Sequence, residues 1–184
     1  LTKDSYTNTA LATGDSIESV TVTGSQTVVG SSNNVPSTAK IVNADGDDVT
    51  ASYEITYVNG TLEVTQKALT ITADSDTKVY DGTALTKNSY TNTALATGDS
   101  IETVTVTGSQ TVVGSSDNIA SAAVIKNAAG DDVTASYNIN YTNGTLEVTK
   151  KALTITADSD TKVYDATALT QNSYTNTALA EGDA

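Results

Sequence analysis

The residues of this chain best suited to chemistry are carboxylates. Asp74, Asp76 and Asp81 fall close together, and the same set returns as Asp158, Asp160 and Asp165. Closely spaced carboxylate oxygens are what Ca2+ prefers, so these six are the candidate metal ligands. The simpler reading, and the preferred one, is a solvated acidic turn, because clustered charges are mostly exposed. Asn43-Ala44-Asp45-Gly46-Asp47-Asp48 has a faint look of a calcium loop. It has neither the twelve-residue spacing nor the distal Glu, and Ala129 stands where a second copy would need Asp45. It reads better as a tight turn.

Other chemistry is sparse. Ser and Thr are abundant, but there is no His or Cys. A nucleophile therefore has no imidazole base beside it, and no two carboxylates are fixed at a set separation. The chain is read as non-enzymatic, with no catalytic residue and no cofactor beyond the Ca2+ candidate. Asn59-Gly60-Thr61 and Asn143-Gly144-Thr145 fit the glycosylation pattern, although Asn-Gly is already a turn signal. Lys67 and Lys78 are candidates for Lys–Asn cross-links, with no acid that marks a specific pair. The nine tyrosines could offer a sugar-stacking surface; core packing is the better reading for Tyr53, Tyr57 and Tyr80.

These residues sit on an array. Lys67–Ala84, KALTITADSDTKVYDGTA, returns as Lys151–Ala168 with one change, Gly82 to Ala166. The second copy starts 84 positions after the first. The single change argues against a need for positive φ at that position. LTKNSYTN from Leu85 also opens the chain as LTKDSYTN at Leu1 and recurs as LTQNSYTN at Leu169. A fixed period of this kind marks a repeat architecture. The expected organisation is a partial repeat over 1–66 that lacks its first strand, a complete one over 67–150 and the start of a third over 151–184. A unit beginning near Leu1, giving two repeats and a short stub, remains open. Either way, the expectation is a piece of a longer array, or a chain whose tail pairs with the head of the next.

Composition sets the fold class. Thr, Ser, Asn, Asp, Gly and Val dominate, which suits short strands joined by polar turns. The expected class is all-β, in tandem elongated modules with a period of 84, each a small β-sandwich or a β-grasp-like sheet. With no Cys, Trp, Phe or Met, the core must be aliphatic, supported by Tyr. A net charge of −13 disfavours nucleic acid, which needs basic patches, and disfavours anionic membrane surfaces. No apolar run approaches the length a membrane-spanning helix needs, about 18 residues, so no membrane insertion is expected.

Strands are expected at Ser16–Gly24, Thr38–Asn43, Ala68–Ala73 and Lys78–Asp81, with Ser31–Asn34 as a loop. A single helical turn is expected at Asp48–Ser52, with Asp47 or Asp48 as its cap. Tyr53–Val58 and Thr61–Thr65 around Asn59-Gly60 read as a type I′ hairpin. The copies also expose the faces. Glu54, Thr56 and Val58 become Asn138, Asn140 and Thr142, whereas Tyr53, Ile55 and Tyr57 persist as Tyr137, Ile139 and Tyr141. Side chains alternate along a strand, so the Tyr/Ile face is read as core. Lys40 and Val42 trade types around a fixed Ile41, which points inward by the same logic.

KVYDGTALT after LTITADSDT, then ALATGDSIESVTVTGSQTVVGSS, then DVTASYEITYVNGTLEVT, resembles the YDG-type, or MBG-type, tandem repeats of large bacterial surface adhesins. Tyr80-Asp81-Gly82 is the triplet that names them. The likeness spans essentially the whole chain. It implies an extracellular protein, on the bacterial cell surface or secreted, with many copies in a row. The first expectation is therefore a structural spacer in an adhesin stalk, whose partners are neighbouring repeats or identical chains. The alternatives are a module that binds host glycan or mucin, and an extracellular filament subunit joined by strand complementation through residues 151–168.

Overall fold

The structure, a computed structural model, describes residues 2–184. Leu1, where the first octapeptide opens, lies outside the described residues. The protein is all-β, in several sheets. Its strands are β1 (Ser16–Thr23), β2 (Gly30–Val42), β3 (Gly60–Val64), β4 (Lys67–Ala73), β5 (Asp76–Val79), β6 (Tyr90–Asn92), β7 (Ser100–Thr107), β8 (Gly114–Lys126), β9 (Tyr137–Thr142), β10 (Gly144–Thr149), β11 (Ile155–Ala157) and β12 (Tyr174–Asn176). The helical segments among the described residues are two 3-10 turns, Thr50–Ser52 and Thr134–Ser136. Among the described residues, no helix is long and apolar enough to cross a membrane.

The chain divides into two compact units. The first comprises Leu1–Ala68 with Val133–Asn138, and the second Leu69–Asp132 with Ile139–Ala184. Unit 1 is built on the sheet β1-β2-β3. The thirteen-residue β2 serves two neighbours in turn. Its first part, Gly30–Asn34, pairs with β3 and its second part with β1, both antiparallel. Pro36 lies in the part that β3 does not reach, where a missing N–H interrupts no second ladder. Ile41 and Leu62 are the buried aliphatics of this sheet.

Unit 2 holds β5-β10-β8-β7 and most of β6-β4-β9, with β11-β12 toward its C-terminal end. Parallel pairing of β5 with β10 runs from Leu146↔Asp76 to Thr149↔Val79. Leu69, Ile71, Ile125, Leu146 and Val148 are fully buried, and Tyr80 packs on the cluster of Leu85, Leu146 and Val148. Every β1/β2 pair returns 84 positions later in β7/β8, from Ser16↔Val42 against Ser100↔Lys126 to Thr23↔Val35 against Thr107↔Ile119. Both ladders slip at the same places, and Thr38 and Ala122 each take φ 51°. The kink frees the next N–H from the ladder. A tyrosine hydroxyl accepts it: Ala39 N–H reaches Tyr57 Oη at 2.8 Å, and Ala123 N–H reaches Tyr141 Oη at 2.8 Å.

The face readings hold along β9 and fail at Tyr53–Val58, which forms no strand and leaves Tyr57 42% exposed rather than core. Tyr137 is buried and Ile139 and Tyr141 half-buried, while Asn138, Asn140 and Thr142 are exposed. Ile41 and Ile125 both point inward.

Four expectations are corrected. Ser31–Asn34 is not a loop: polar as it is, it forms the start of β2 and pairs with β3. Asn59-Gly60 closes no hairpin, because Tyr53–Val58 forms no strand and β3 pairs with β2; in the other copy β9 joins β4 in one sheet and β10 joins β5 and β8 in another. Gly60 and Gly144 are not among the positive-φ residues that a type I′ turn requires. The expected helical turn is the shorter 3-10 segment, and its N-cap is Val49; Asp48 instead accepts the Thr50 N–H, at 2.9 Å, just before it. Positive φ at the YDG position is retained, since Gly82 has φ 83° and Ala166 φ 64°.

Candidate functional site

The six candidate carboxylates do not converge. Among the described residues, no group of three or more His, Cys, Asp or Glu is placed to hold a metal ion. Each works locally instead. Asp74 accepts the Ser89 hydroxyl at 2.5 Å, and Asp158 accepts that of Ser173 at 2.5 Å. Asp76 takes the N–H of Thr77, and Asp160 that of Thr161. Asp81 closes the YDG turn: its Oδ1 accepts Lys78 Nζ at 2.7 Å, the Thr83 N–H at 2.9 Å and the Thr83 hydroxyl at 2.8 Å. These donors, the Lys78 ammonium first, hold its carboxyl well below the usual range. Lys162 and Thr167 lower the Asp165 carboxyl in the same way. Hydrogen bonds to the ionised form favour that form. This also occupies Lys78, which gives its remaining bonds to Thr83.

The tyrosines have more specific work than filling a core. Tyr53 donates to Asp15 Oδ2 at 2.7 Å and accepts the Ala12 N–H at 3.0 Å, and Tyr57 holds the β2 kink. Tyr6 and Tyr174 are exposed, but Tyr90, paired with Ala73 in the β4–β6 ladder, is half-buried. Aromatic exposure therefore does not recur with the period of the sequence.

Unit 1 contains an open groove of about 800 Å3, and this is the strongest candidate for a site. Val20, Val22, Ile41, Ile55, Tyr57 and Leu62 are among its lining residues. Its place in the fold is read from the other copy. In unit 2, β4 lies between β6 and β9. The positions that match β6 and β9 in unit 1, one period earlier, are Tyr6–Asn8 and Tyr53–Val58. Both segments line the groove, and neither forms a strand.

Two polar details mark the same gap. Asn118 is fully buried and donates to Asp74 O at 2.8 Å and Lys87 O at 2.9 Å. Its counterpart Asn34, also buried, makes only the second of these bonds, to Lys3 O at 2.8 Å. Gly144 lies so close to the end of β4 that a Cβ there would collide with the carbonyls of Ala73 and Asp74. At Gly60, the nearest atom such a Cβ would meet is the Asn34 Cβ, at an ordinary 3.6 Å. Space that a strand fills in one copy is empty in the other.

Asn34 did not stand out by residue type, and Gly60 stood out only as half of an Asn-Gly turn signal. One signal was present for the asparagine: it persists as Asn118 while Asn33, Val35 and Pro36 change to Asp117, Ile119 and Ala120. No family model, curated protein or solved structure matches the chain.

Proposed function

We propose that this chain is a structural spacer: tandem all-β modules, with a period of 84, in the stalk of an extracellular bacterial adhesin, on the cell surface or secreted. The observation that carries this reading is the recurrence, position for position at an offset of 84, of the long β1/β2 ladder in β7/β8, including its kink and its tyrosine clasp. Interchangeable copies suit a protein whose property is length. Two sheets around one complete copy favour a small sandwich over a β-grasp-like sheet. Thirteen-residue strands span ~43 Å, so each module would lengthen a stalk by several nanometres. The net charge of −13 would keep near-identical neighbours from aggregating.

The competing reading, a module for host glycan or mucin, calls for an aromatic surface that returns with each copy. Half-burial of Tyr90 weighs against it. Biolayer interferometry of the chain over immobilised mucin separates the two. The spacer reading expects no saturable binding; saturable binding that is lost on Tyr6→Ala or Tyr174→Ala would overturn it.

A further inference from the structure

We propose that consecutive copies in this chain dock through a preformed seat: the Ala180–Asp183 turn of one copy lies on the YDG turn of the copy before it, and Gly82 is the residue that admits it. The partner is the next copy of the same chain. The inference rests on reading the chain as a tandem array and adds how its copies are joined.

The turn that docks is built into every copy. The Asp15 N–H donates to Ala12 O at 3.0 Å, that of Asp99 to Ala96 O at 3.1 Å and that of Asp183 to Ala180 O at 3.2 Å. Gly14, Gly98 and Gly182 inside these turns take φ 93°, 90° and 88°. An alanine in this place is not buried by its own copy, since Ala96, in the complete copy, is exposed. Ala180 is 6% exposed, so its cover comes from the copy before it.

Two contacts locate that cover. The Tyr80 hydroxyl donates to Asp183 Oδ1 at 3.1 Å, and the Glu181 carbonyl oxygen stands only 2.5 Å from where a Cβ on Gly82 would be. Both sides are held beforehand. Tyr80 packs on Leu85, Leu146 and Val148, and Asp81 fixes the YDG turn through Lys78 and Thr83. Because the incoming group is a backbone carbonyl, the side chain is free to vary: Thr13 and Thr97 stand where the third copy has Glu181. Asp15 takes the Tyr53 of its own copy through Oδ2, whereas Tyr80 uses Oδ1 of Asp183, so one carboxylate can serve two tyrosines. Close joining is not confined to this boundary. Gln66, which ends the first copy, donates to the carbonyls of Ala135 and Tyr137 in the second, at 3.0 Å and 3.4 Å.

The YDG position then selects the kind of joint. Ala166 keeps the turn, with φ 64° and the Asp165–Thr167 bond, but a Cβ at this position fills the place of the incoming carbonyl, well inside van der Waals contact. Glycine there gives a stiff joint between copies, and alanine a loose one.

The test is double electron–electron resonance on the whole chain. It has no Cys, so Thr105→Cys and Asn172→Cys, both at exposed positions, carry the only two spin labels. One narrow distance distribution is expected. Gly82→Ala and Ala180→Arg, one on each side of the contact, should each abolish it while far-UV circular dichroism keeps its β signal. Ala166 and the exposed Ala96 show that each turn tolerates its change; if Gly82→Ala fails to fold, Ala180→Arg decides. A broad distribution without these changes would overturn the proposal, as would a narrow one that a folded variant keeps. The array reading fails on a different result, since loosely jointed copies would still lengthen the chain as copies are added.

Discussion

Ile71 and Ile155 share a fifteen-residue sequence context and differ in burial, 0% against 63% exposed. Truncating each to Ala therefore isolates the environment from the chemistry. At Ile71 the loss is a fully buried side chain, for which Ile→Ala costs ~2–5 kcal/mol in transfer and cavity terms. A module of this size has a total stability of ~4–13 kcal/mol, so the loss is a large fraction of the whole. Taking ~3 kcal/mol and ~4–8 °C per kcal/mol for such a domain, the transition of unit 2 should fall by ~12–24 °C. Ile155→Ala should stay within ~0.5 kcal/mol, as exposed positions do. Urea and thermal unfolding followed by far-UV circular dichroism, at low micromolar concentration to hold copies apart, would measure both. Equal costs at the two positions would refute the reasoning, because the tail strand would then be buried within a single copy. A cost below about 1 kcal/mol at Ile71 would refute it too, since β4 would not be a core strand.

Gly144→Ala should destabilise unit 2 by ~1–3 kcal/mol, the usual penalty of overpacking, because its Cβ meets the backbone at the end of β4; an unchanged urea midpoint would contradict this. Tyr141→Phe removes the acceptor for the N–H of the buried Ala123 at the β8 kink. An unsatisfied buried donor costs ~1–3 kcal/mol, and hydrogen exchange at Ala123 should accelerate. On acidification, Asp81 is a carboxyl whose folded pKa lies below its unfolded value, so its contribution is complete above about pH 4. It is lost as pH falls further, toward the folded value. Asp81→Asn should flatten the acid limb of a midpoint-versus-pH curve below about pH 4; an unchanged limb would show that the YDG turn does not link protonation to stability.

The inward faces were legible because the chain carries its own comparison. Where Glu54, Thr56 and Val58 changed to Asn138, Asn140 and Thr142 while the Tyr/Ile residues persisted, alternation told core from solvent along β9, though not at Tyr53–Val58, which is no strand and leaves Tyr57 exposed. Ile41 was assigned by the same argument. The Asn-Gly hairpin failed because the dipeptide reports a local preference, whereas the glycine at 144 answers a distant demand, the approach of β4. Ser31–Asn34 misled for a related reason: pairing partners far along the chain, not polarity, make it strand. Ala166 shows the limit of inference from one substitution, as the turn keeps its positive φ through Asp165 and Thr167. The carboxylates were seen at once, but their spacing could not reveal that each would be spent on a neighbouring hydroxyl, amide or lysine. The groove was legible in outline, since residues 1–66 match a repeat without its first strand, and the open space lies between the counterparts of that strand's neighbours, Tyr6–Asn8 and Tyr53–Val58.

Small-angle scattering on a series of chains carrying one, two and three added copies of Lys67–Lys150 after Lys150 would test the spacer reading most directly. It should be done at low concentration, so that added length is not confused with association. The maximum dimension should grow linearly, by several nanometres per added copy and on the scale of the ~43 Å strand span. Growth only as the cube root of mass, as in a single collapsing body, would contradict the account.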